Sequence, residues 1–84
     1  MYDVELIDQV REVLATTLGM DVSELRDDVS QANCSRWTSL YHMVLLVALE
    51  EHFECTFSMD EMTSMTSLER IMDVLQRQAV KTPA

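Results

Sequence analysis

Among the side chains that could take part in covalent chemistry, Ser39 stands out because it directly precedes a largely apolar segment, residues 40–49. That segment predicts a helix, so Ser39 would lie in its first turn. A serine there is exposed, and the free N–H groups and positive dipole end of the helix favour a phosphate. Most serines in this position are simply N-caps. The residue therefore permits attachment of a phosphate-linked group without requiring it.

The histidines and cysteines form no catalytic or metal-binding pattern. His42 and His52 lie ten positions apart, on different faces of one helix, which argues against a metal site or an acid–base pair. We interpret His42 as a neighbour of whatever Ser39 carries. Cys34 and Cys55 have no metal-ligand spacing, and no basic cluster activates Cys34 as a nucleophile. We expect Cys34 to be a small buried or half-buried thiol.

The composition favours one small helical domain, residues 1–84, with an ordered core over about residues 3–79. Hydrophobic residues make up 48% of the chain, while one glycine and one proline argue against a turn-rich sheet fold. The net charge of −9 opposes nucleic-acid binding and favours partners that present lysine and arginine. The apolar segment is shorter than the ~20 residues that span a bilayer. The first residues lack a secretory signal, so we expect a cytoplasmic protein with free thiols.

Hydrophobic spacing predicts a first helix over residues 3–18, capped by Asp3 and stopped by Gly19. Its core face would consist of Val4, Ile7, Val10, Leu14 and Leu18. A long connection follows over residues 20–38, and such loops are usually functional or contain short turns. A capped single turn is expected at residues 21–25. The side chains predicted to pin this connection to the core are Val22, Leu25 and Val29.

The second helix is predicted over residues 39–53, with Thr38 or Ser39 as its cap. It has more apolar positions than one stripe can hold. Its core stripe would comprise Leu45, Leu46, Leu49 and Phe53. The neighbouring stripe would comprise Leu40, Met43 and Val47, and part of it must reach the surface in so small a domain. That second stripe indicates contact with a partner or ligand.

The remainder of the chain predicts one short and one longer helix. Phe57 is expected to pack inward, and residues 59–62 resemble a short helical turn. A capping box is predicted from Thr66 to Glu69. The last helix would then run to about Ala79, and residues 81–84 should fray. Its core positions are predicted to be Leu68, Ile71, Met72 and Leu75.

This layout, with a long first loop and a serine that opens the second helix, resembles an acyl carrier protein. Ser39-Leu40, followed by Leu45, residues 48–51 and Phe53, is similar to the family's Asp-Ser-Leu motif and the helix after it. Leu18-Gly19 precedes that serine at the family's separation, and the spacing from Met65 to Leu75 resembles the family's last helix. The similarity covers about residues 4–77 without gaps. It implies an all-α, four-helix bundle with three longer helices and one short helix.

The resemblance implies that Ser39 carries 4′-phosphopantetheine, transferred from coenzyme A by a phosphopantetheinyl transferase. The thiol of that arm would hold an acyl group as a thioester and present it to successive enzymes, so the protein would itself not be an enzyme. Its further partners would be acyl-loading and acyl-processing enzymes with basic surfaces. We expect a stand-alone, monomeric phosphoprotein. The residues expected to contact partners or the acyl group are Leu40, Met43, Val47, Glu50 and Glu51.

Several positions depart from the family pattern. Thr38 replaces the aspartate before the serine, which keeps a helix cap but loses a charge that the transferase often contacts. Tyr41 and Val44 take positions that are commonly acidic, so the docking surface is more apolar. Trp37 stands where small residues are common, and the pattern Trp-x-Ser-Leu-x-His is similar to carriers of specialised pathways. We therefore expect a polyketide-like or other specialised pathway.

Two alternatives remain open. The chain could be the general fatty-acid carrier of its organism, which predicts efficient loading by fatty-acid enzymes. It could also be an unmodified adaptor that keeps the carrier fold and binds a partner through the second helix. That alternative predicts that Ser39→Ala leaves function intact, while Leu40→Glu or Val47→Glu abolishes it.

Overall fold

The computed structural model describes residues 4–78 and consists there of four α-helices and one 3₁₀ turn. Three helices are long and one is short, as expected. Their bounds are α1 Val4–Leu18, the 3₁₀ turn Val22–Glu24, α2 Ser39–Phe53, α3 Met59–Ser64 and α4 Leu68–Arg77. Within the described residues the sole β-type pairing is one isolated antiparallel bridge between Ser30 and Ser67. The expected cap Asp3, the predicted helix end at Ala79 and the predicted fraying of residues 81–84 lie outside the described residues.

The core is formed mainly by α1 packing against α2 and α4. The buried face of α1 is shifted from the predicted one, because Leu6 and Ala15 join Val10, Leu14 and Leu18 in the core. Val4 was expected in the core, but its side chain is 70% exposed. It begins the helix, six positions before Val10, which is the first residue of the predicted stripe that is fully buried. Ile7 is half-buried at the edge of the core.

Helix α1 ends where glycine was expected to stop it. Gly19 has a φ of +68°, in the left-handed region. The Gly19 N–H donates to the Thr16 carbonyl at 3.3 Å, and the Met20 N–H donates to the Ala15 carbonyl at 2.9 Å. This pair of bonds is the Schellman arrangement, which satisfies carbonyls left over at a helix end. The chain therefore leaves α1 in a fixed direction at the start of the long connection.

The connection between α1 and α2 is anchored along its length. Asp21 and Glu24 form a capping box around the 3₁₀ turn, and Leu25 and Val29 are buried as predicted. Val22 was expected to be buried too, but it is 38% exposed. It instead lines a shallow surface depression on the polar side of α1, where the Arg11 guanidinium donates to the Val22 and Leu25 carbonyls at 3.4 and 3.1 Å.

The predicted capping box at the start of α4 is wrong. The cap is Ser67, whose hydroxyl accepts from the Arg70 N–H at 3.1 Å. The Thr66 carbonyl accepts from the Gln31 N–H at 2.8 Å, and the Leu68 N–H donates to the Val29 carbonyl at 3.0 Å. These two bonds to the connection hold the chain extended through Ser67, so the helix begins one residue later than the sequence pattern indicates.

The position of this cap makes a prediction about stability. Ser67→Ala should lower the free energy of unfolding by about 1 kcal/mol, because the Arg70 N–H loses its acceptor. Thr66→Ala should change it by less than about 0.5 kcal/mol, since the Thr66 side chain caps nothing. Urea unfolding of both variants measures the difference. An equal loss in the two variants would contradict the assignment of the cap.

Candidate functional site

Ser39 is the first residue of α2 and is exposed. The cap that precedes it is Thr38, whose Oγ1 accepts from the Tyr41 N–H at 3.2 Å. The Thr38 carbonyl also accepts from the His42 N–H at 2.8 Å. Of the two residues that the sequence allowed as caps, the structure therefore uses Thr38. The Ser39 hydroxyl makes no hydrogen bond with the described residues 4–78 and is free for chemistry.

The start of α2 has no acidic side chain to offset the positive end of its dipole. The first turn of α1 contains Glu5, that of α3 contains Asp60 and Glu61, and that of α4 contains Glu69, whereas the first turn of α2 contains none. The first N–H groups of a helix and its dipole together favour an anion. An anionic group on Ser39 would therefore be stabilised by the backbone of α2.

Trp37 fixes the end of the connection immediately before this helix. Its side chain is 1% exposed, and its backbone N–H donates to the Cys34 carbonyl at 3.1 Å. The neighbouring Arg36 donates through Nη1 to the Gly19 carbonyl at 3.3 Å. The connection is thus tied both to the core and to the end of α1. The sequence signal for this anchor was a tryptophan in an otherwise polar stretch, although its burial was not predicted.

A cleft of about 390 Å³ lies beside Ser39, between α2 and α3. Its walls are mostly apolar, and methionines supply much of both sides. Its lining residues are Gln31, Ser39, His42, Met43, Leu46, Met59, Met62, Thr63 and Thr66. Two depressions of about 470 and 460 Å³ are larger, but they lie on other faces and neither includes Ser39. The cleft between α2 and α3 is therefore the one relevant to a group attached to Ser39.

The two apolar stripes predicted on α2 are confirmed. The core stripe of Leu45, Leu46, Leu49 and Phe53 is buried. The other stripe is exposed, at 71% for Leu40, 56% for Met43 and 52% for Val47. Tyr41 and Val44 are exposed as well, which widens the apolar surface. The outer face of α2 is therefore apolar through its first turns.

The two glutamates expected at a partner surface lie in different environments. Glu51 is exposed near the end of α2. Glu50 is half-buried, and its Oε2 accepts from the Phe57 N–H at 2.9 Å. That bond holds the connector after α2 and helps to bury Phe57, which was predicted to pack inward. Glu50 therefore has a structural contact, while Glu51 projects a free charge at the surface.

The histidines contact different elements, as their spacing indicates. His52 Nε2 lies 2.6 Å from Gln9 Oε1 of α1, whereas His42 contacts Trp37 and Met62. Residues 4–78 contain no group of three or more His, Cys, Asp or Glu side chains that could hold a metal ion. The described helices also include none that is long and apolar enough to cross a membrane.

Both cysteines are free, half-buried thiols. Cys34 Sγ lies 3.9 Å from Met20 Sδ, so the thiol is half-buried as expected. Burial, with the charges of Glu50 and Glu61, raises the pKa of the Cys55 thiol. The raised pKa favours the protonated thiol near neutral pH, which is the less nucleophilic form.

A family model for the phosphopantetheine attachment site matches residues 8–75. The class of protein is therefore a phosphopantetheine-binding carrier. The chain is also similar to polyketide-8 synthase acyl carrier protein 2 of Streptomyces avermitilis, with 32% identity over 68 residues, or 81% of this chain and 78% of that protein. The chain belongs to the acyl carrier protein family.

The family defines a carrier rather than a catalyst, with 4′-phosphopantetheine as its cofactor. Such carriers work with a phosphopantetheinyl transferase and with biosynthetic enzymes. The start of α2 fits this cofactor, because it offers an unbonded serine hydroxyl, a first turn without acidic side chains and an apolar cleft alongside. The residues that would hold the phosphate are Ser39 and the first N–H groups of α2.

The cap at Thr38 can be tested by two substitutions at the same position. Thr38→Ala should lower the free energy of unfolding by about 1 kcal/mol, because the Tyr41 N–H loses its acceptor. Thr38→Asp should keep the wild-type value within about 0.5 kcal/mol, since aspartate caps as well as threonine. Urea unfolding of the unmodified protein is the measurement. Equal stability of all three proteins would show that Thr38 does not cap α2.

Proposed function

We propose that Ser39 carries the phosphopantetheine arm, and that this carrier serves a polyketide-like or other specialised biosynthetic pathway. The observation that carries the proposal is the exposed, unbonded Ser39 hydroxyl at the uncompensated N-terminus of α2. The residue also lies within the matched range, residues 8–75. Other hydroxyl residues nearby are less suited. Thr38 is occupied as a cap, and Ser35 lies in the connection, away from any helix start.

When attached, the arm supplies a thiol that holds an acyl group as a thioester. The protein's own residues then bind the phosphate and orient the arm. The first N–H groups and dipole of α2 stabilise the phosphate, and Thr38 holds the first turn without using the Ser39 hydroxyl. Met43 and Leu46 form the wall of the cleft on the α2 side. Because Met43 is also 56% exposed, it can contact either the arm or a partner.

The outer face of α2 is our candidate for the surface that partner enzymes contact. Leu40 and Val47 are exposed apolar residues on this face, and Glu51 adds a negative charge for a basic partner. Glu50 would contribute less, since its carboxylate already accepts from Phe57. We propose that the carrier acts as a single domain and a monomer, and that its transferase and acyl-handling enzymes dock here.

Support for a specialised pathway comes from the side chains on this face. Tyr41 and Val44 are exposed where the family commonly has acidic residues, so docking depends more on apolar contact and less on charge. The similar Streptomyces avermitilis protein is named as a polyketide synthase carrier. A general fatty-acid carrier is the second candidate, and it would need an enzyme surface suited to this apolar face.

Mass spectrometry tests the attachment site. After incubation with coenzyme A and a broad-specificity phosphopantetheinyl transferase, the wild-type protein should gain the mass of one phosphopantetheine arm. Ser39→Ala should gain nothing, because its side chain has no nucleophilic oxygen. Ser35→Ala is the matched control and should be modified like the wild type. A mass gain in Ser39→Ala, or no mass gain in the wild type, would contradict the proposal. An unmodified adaptor predicts the latter outcome.

The docking surface can be tested with charge substitutions. Leu40→Glu and Val47→Glu should each lower kcat/KM for loading by the transferase about tenfold, the effect of losing ~1.4 kcal/mol of interface contact. Val4→Glu is the matched control, since Val4 is 70% exposed on a different helix. It should load at the wild-type rate. All three should unfold within about 0.5 kcal/mol of the wild type. Equal loading rates in the three variants would exclude this face as the docking surface.

A further inference from the structure

Both ring nitrogens of His42 are engaged by groups from other segments of the chain. Nδ1 lies 3.1 Å from Trp37 Nε1, at the end of the connection. Nε2 lies 3.0 Å from the Met62 carbonyl oxygen, in α3. The His42 and Trp37 ring centroids are 6.1 Å apart at an interplanar angle of 32°, so the contact runs through the ring edges rather than a stack. One side chain of α2 thus bridges two other segments.

The partners of His42 determine which nitrogen bears its proton. An indole N–H can only donate, so His42 Nδ1 must be the unprotonated acceptor. A backbone carbonyl can only accept, so Nε2 must bear the hydrogen that it donates to Met62. Only the neutral Nε2–H tautomer satisfies both bonds. In that state neither nitrogen is free to act as a base toward a group on Ser39, which argues for a positioning role.

The bond to Met62 involves the C-terminal part of α3, where backbone carbonyls lack hydrogen-bond partners within the helix. Helix α3 spans only six residues, and the last four carbonyls of a helix lack partners within it. The Glu61 carbonyl accepts from the Met65 N–H at 3.1 Å, and the Met62 carbonyl accepts from His42. In the described part of the chain, this is the hydrogen bond that ties α3 to α2.

We propose that His42 is a positioning residue that holds α3 against the start of α2 and so sets the width of the cleft beside Ser39. His42 of α2 and Met62 of α3 both line that cleft. Trp37 holds the imidazole at the required angle, because its buried indole cannot move without opening the core. These contacts alone support the link between α2 and α3. The relevance of that link to a bound acyl group rests on the proposed attachment at Ser39.

The tautomer is tested first, in a Ser39→Ala background that cannot be modified. In protein labelled with ¹⁵N at histidine, His42 should show a protonated Nε2 and an unprotonated Nδ1 at neutral pH. His52, which contacts a glutamine side chain instead, is the internal reference. A proton on Nδ1, or a mixture of both tautomers at His42, would overturn the proposal. Because the serine is absent, this result does not depend on whether Ser39 is modified.

The link to α3 is tested with His42→Phe and His42→Gln in the same background. Phenylalanine removes both hydrogen bonds, whereas glutamine offers one acceptor and one donor. In His42→Phe, amide hydrogen exchange at residues 62–65 should rise by about tenfold, the usual effect of losing one hydrogen bond. His42→Gln should restore most of the protection. Exchange at the buried face of α1 should stay at the wild-type rate in both variants.

Methionine methyl signals report on the cleft itself. Met43, Met59 and Met62 line it, whereas Met20 lies in a separate depression formed by the connection. In ¹³C-methyl-labelled protein, His42→Phe should shift the three cleft signals and leave Met20 in place, and His42→Gln should return them toward the wild type. A folded His42→Phe protein with wild-type exchange in α3 and unshifted cleft methyls would refute the positioning role.

Discussion

The burial of Trp37 is the constraint on which the position of the N-terminal end of α2 depends. The indole is 1% exposed, yet it lies two positions before Ser39, the exposed serine that we propose as the attachment site. Closing a connection as long as the one between α1 and α2 costs conformational entropy, and ordering its residues costs more. Buried anchors at Leu25, Val29 and Trp37 offset that loss. The start of α2 is thereby fixed in position although no residue of its first turn is buried.

The apolar residues of helix α2 form both a part of the core and an exposed surface. Its core stripe packs against α1, while its outer face exposes Leu40, Met43 and Val47. Exposed apolar surface of this kind usually marks an interaction site, and it favours aggregation when it is uncompensated. The net charge of −9 opposes that tendency, because molecules of like charge repel one another. The acidic residues that provide this charge lie mainly outside the first turns of α2, so the apolar face remains intact.

The sequence predicted those features that depend on local pattern. Helix α2 was expected over residues 39–53 and is found there, and the left-handed stop at Gly19 followed from residue type alone. The errors arose where tertiary contacts override local signals. Thr66 has the spacing of a capping box, but hydrogen bonds to the connection hold the chain extended one residue further. Val22 looked like a core residue, but the Arg11 side chain lies against its turn.

The contacts of His42 could not be predicted for a related reason. The sequence placed His42 near Ser39, but its hydrogen-bond partners depend on the positions of the connection and of α3 in the folded protein. Trp37 is five positions away and Met62 is twenty positions away, and no periodicity links the three. Met62 takes part only through its backbone carbonyl, which carries no sequence signal at all. Such links become visible only when donors and acceptors are counted in three dimensions.

The absence of acidic side chains from the first turn of α2 is best understood together with the cap at Thr38. Threonine and aspartate cap a helix in similar ways, but an aspartate would place a negative charge one residue from the serine. If Ser39 carries a phosphodiester as proposed, threonine removes a like-charge contact and leaves the dipole of α2 to act on the phosphate alone. The acidic residues in the first turns of α1, α3 and α4 have no counterpart in the first turn of α2. The chain thus keeps the cap without an aspartate that a transferase could contact, and it places apolar side chains on the adjoining surface. We therefore expect recognition of this carrier to depend on the shape and apolar contacts of α2 more than on charge.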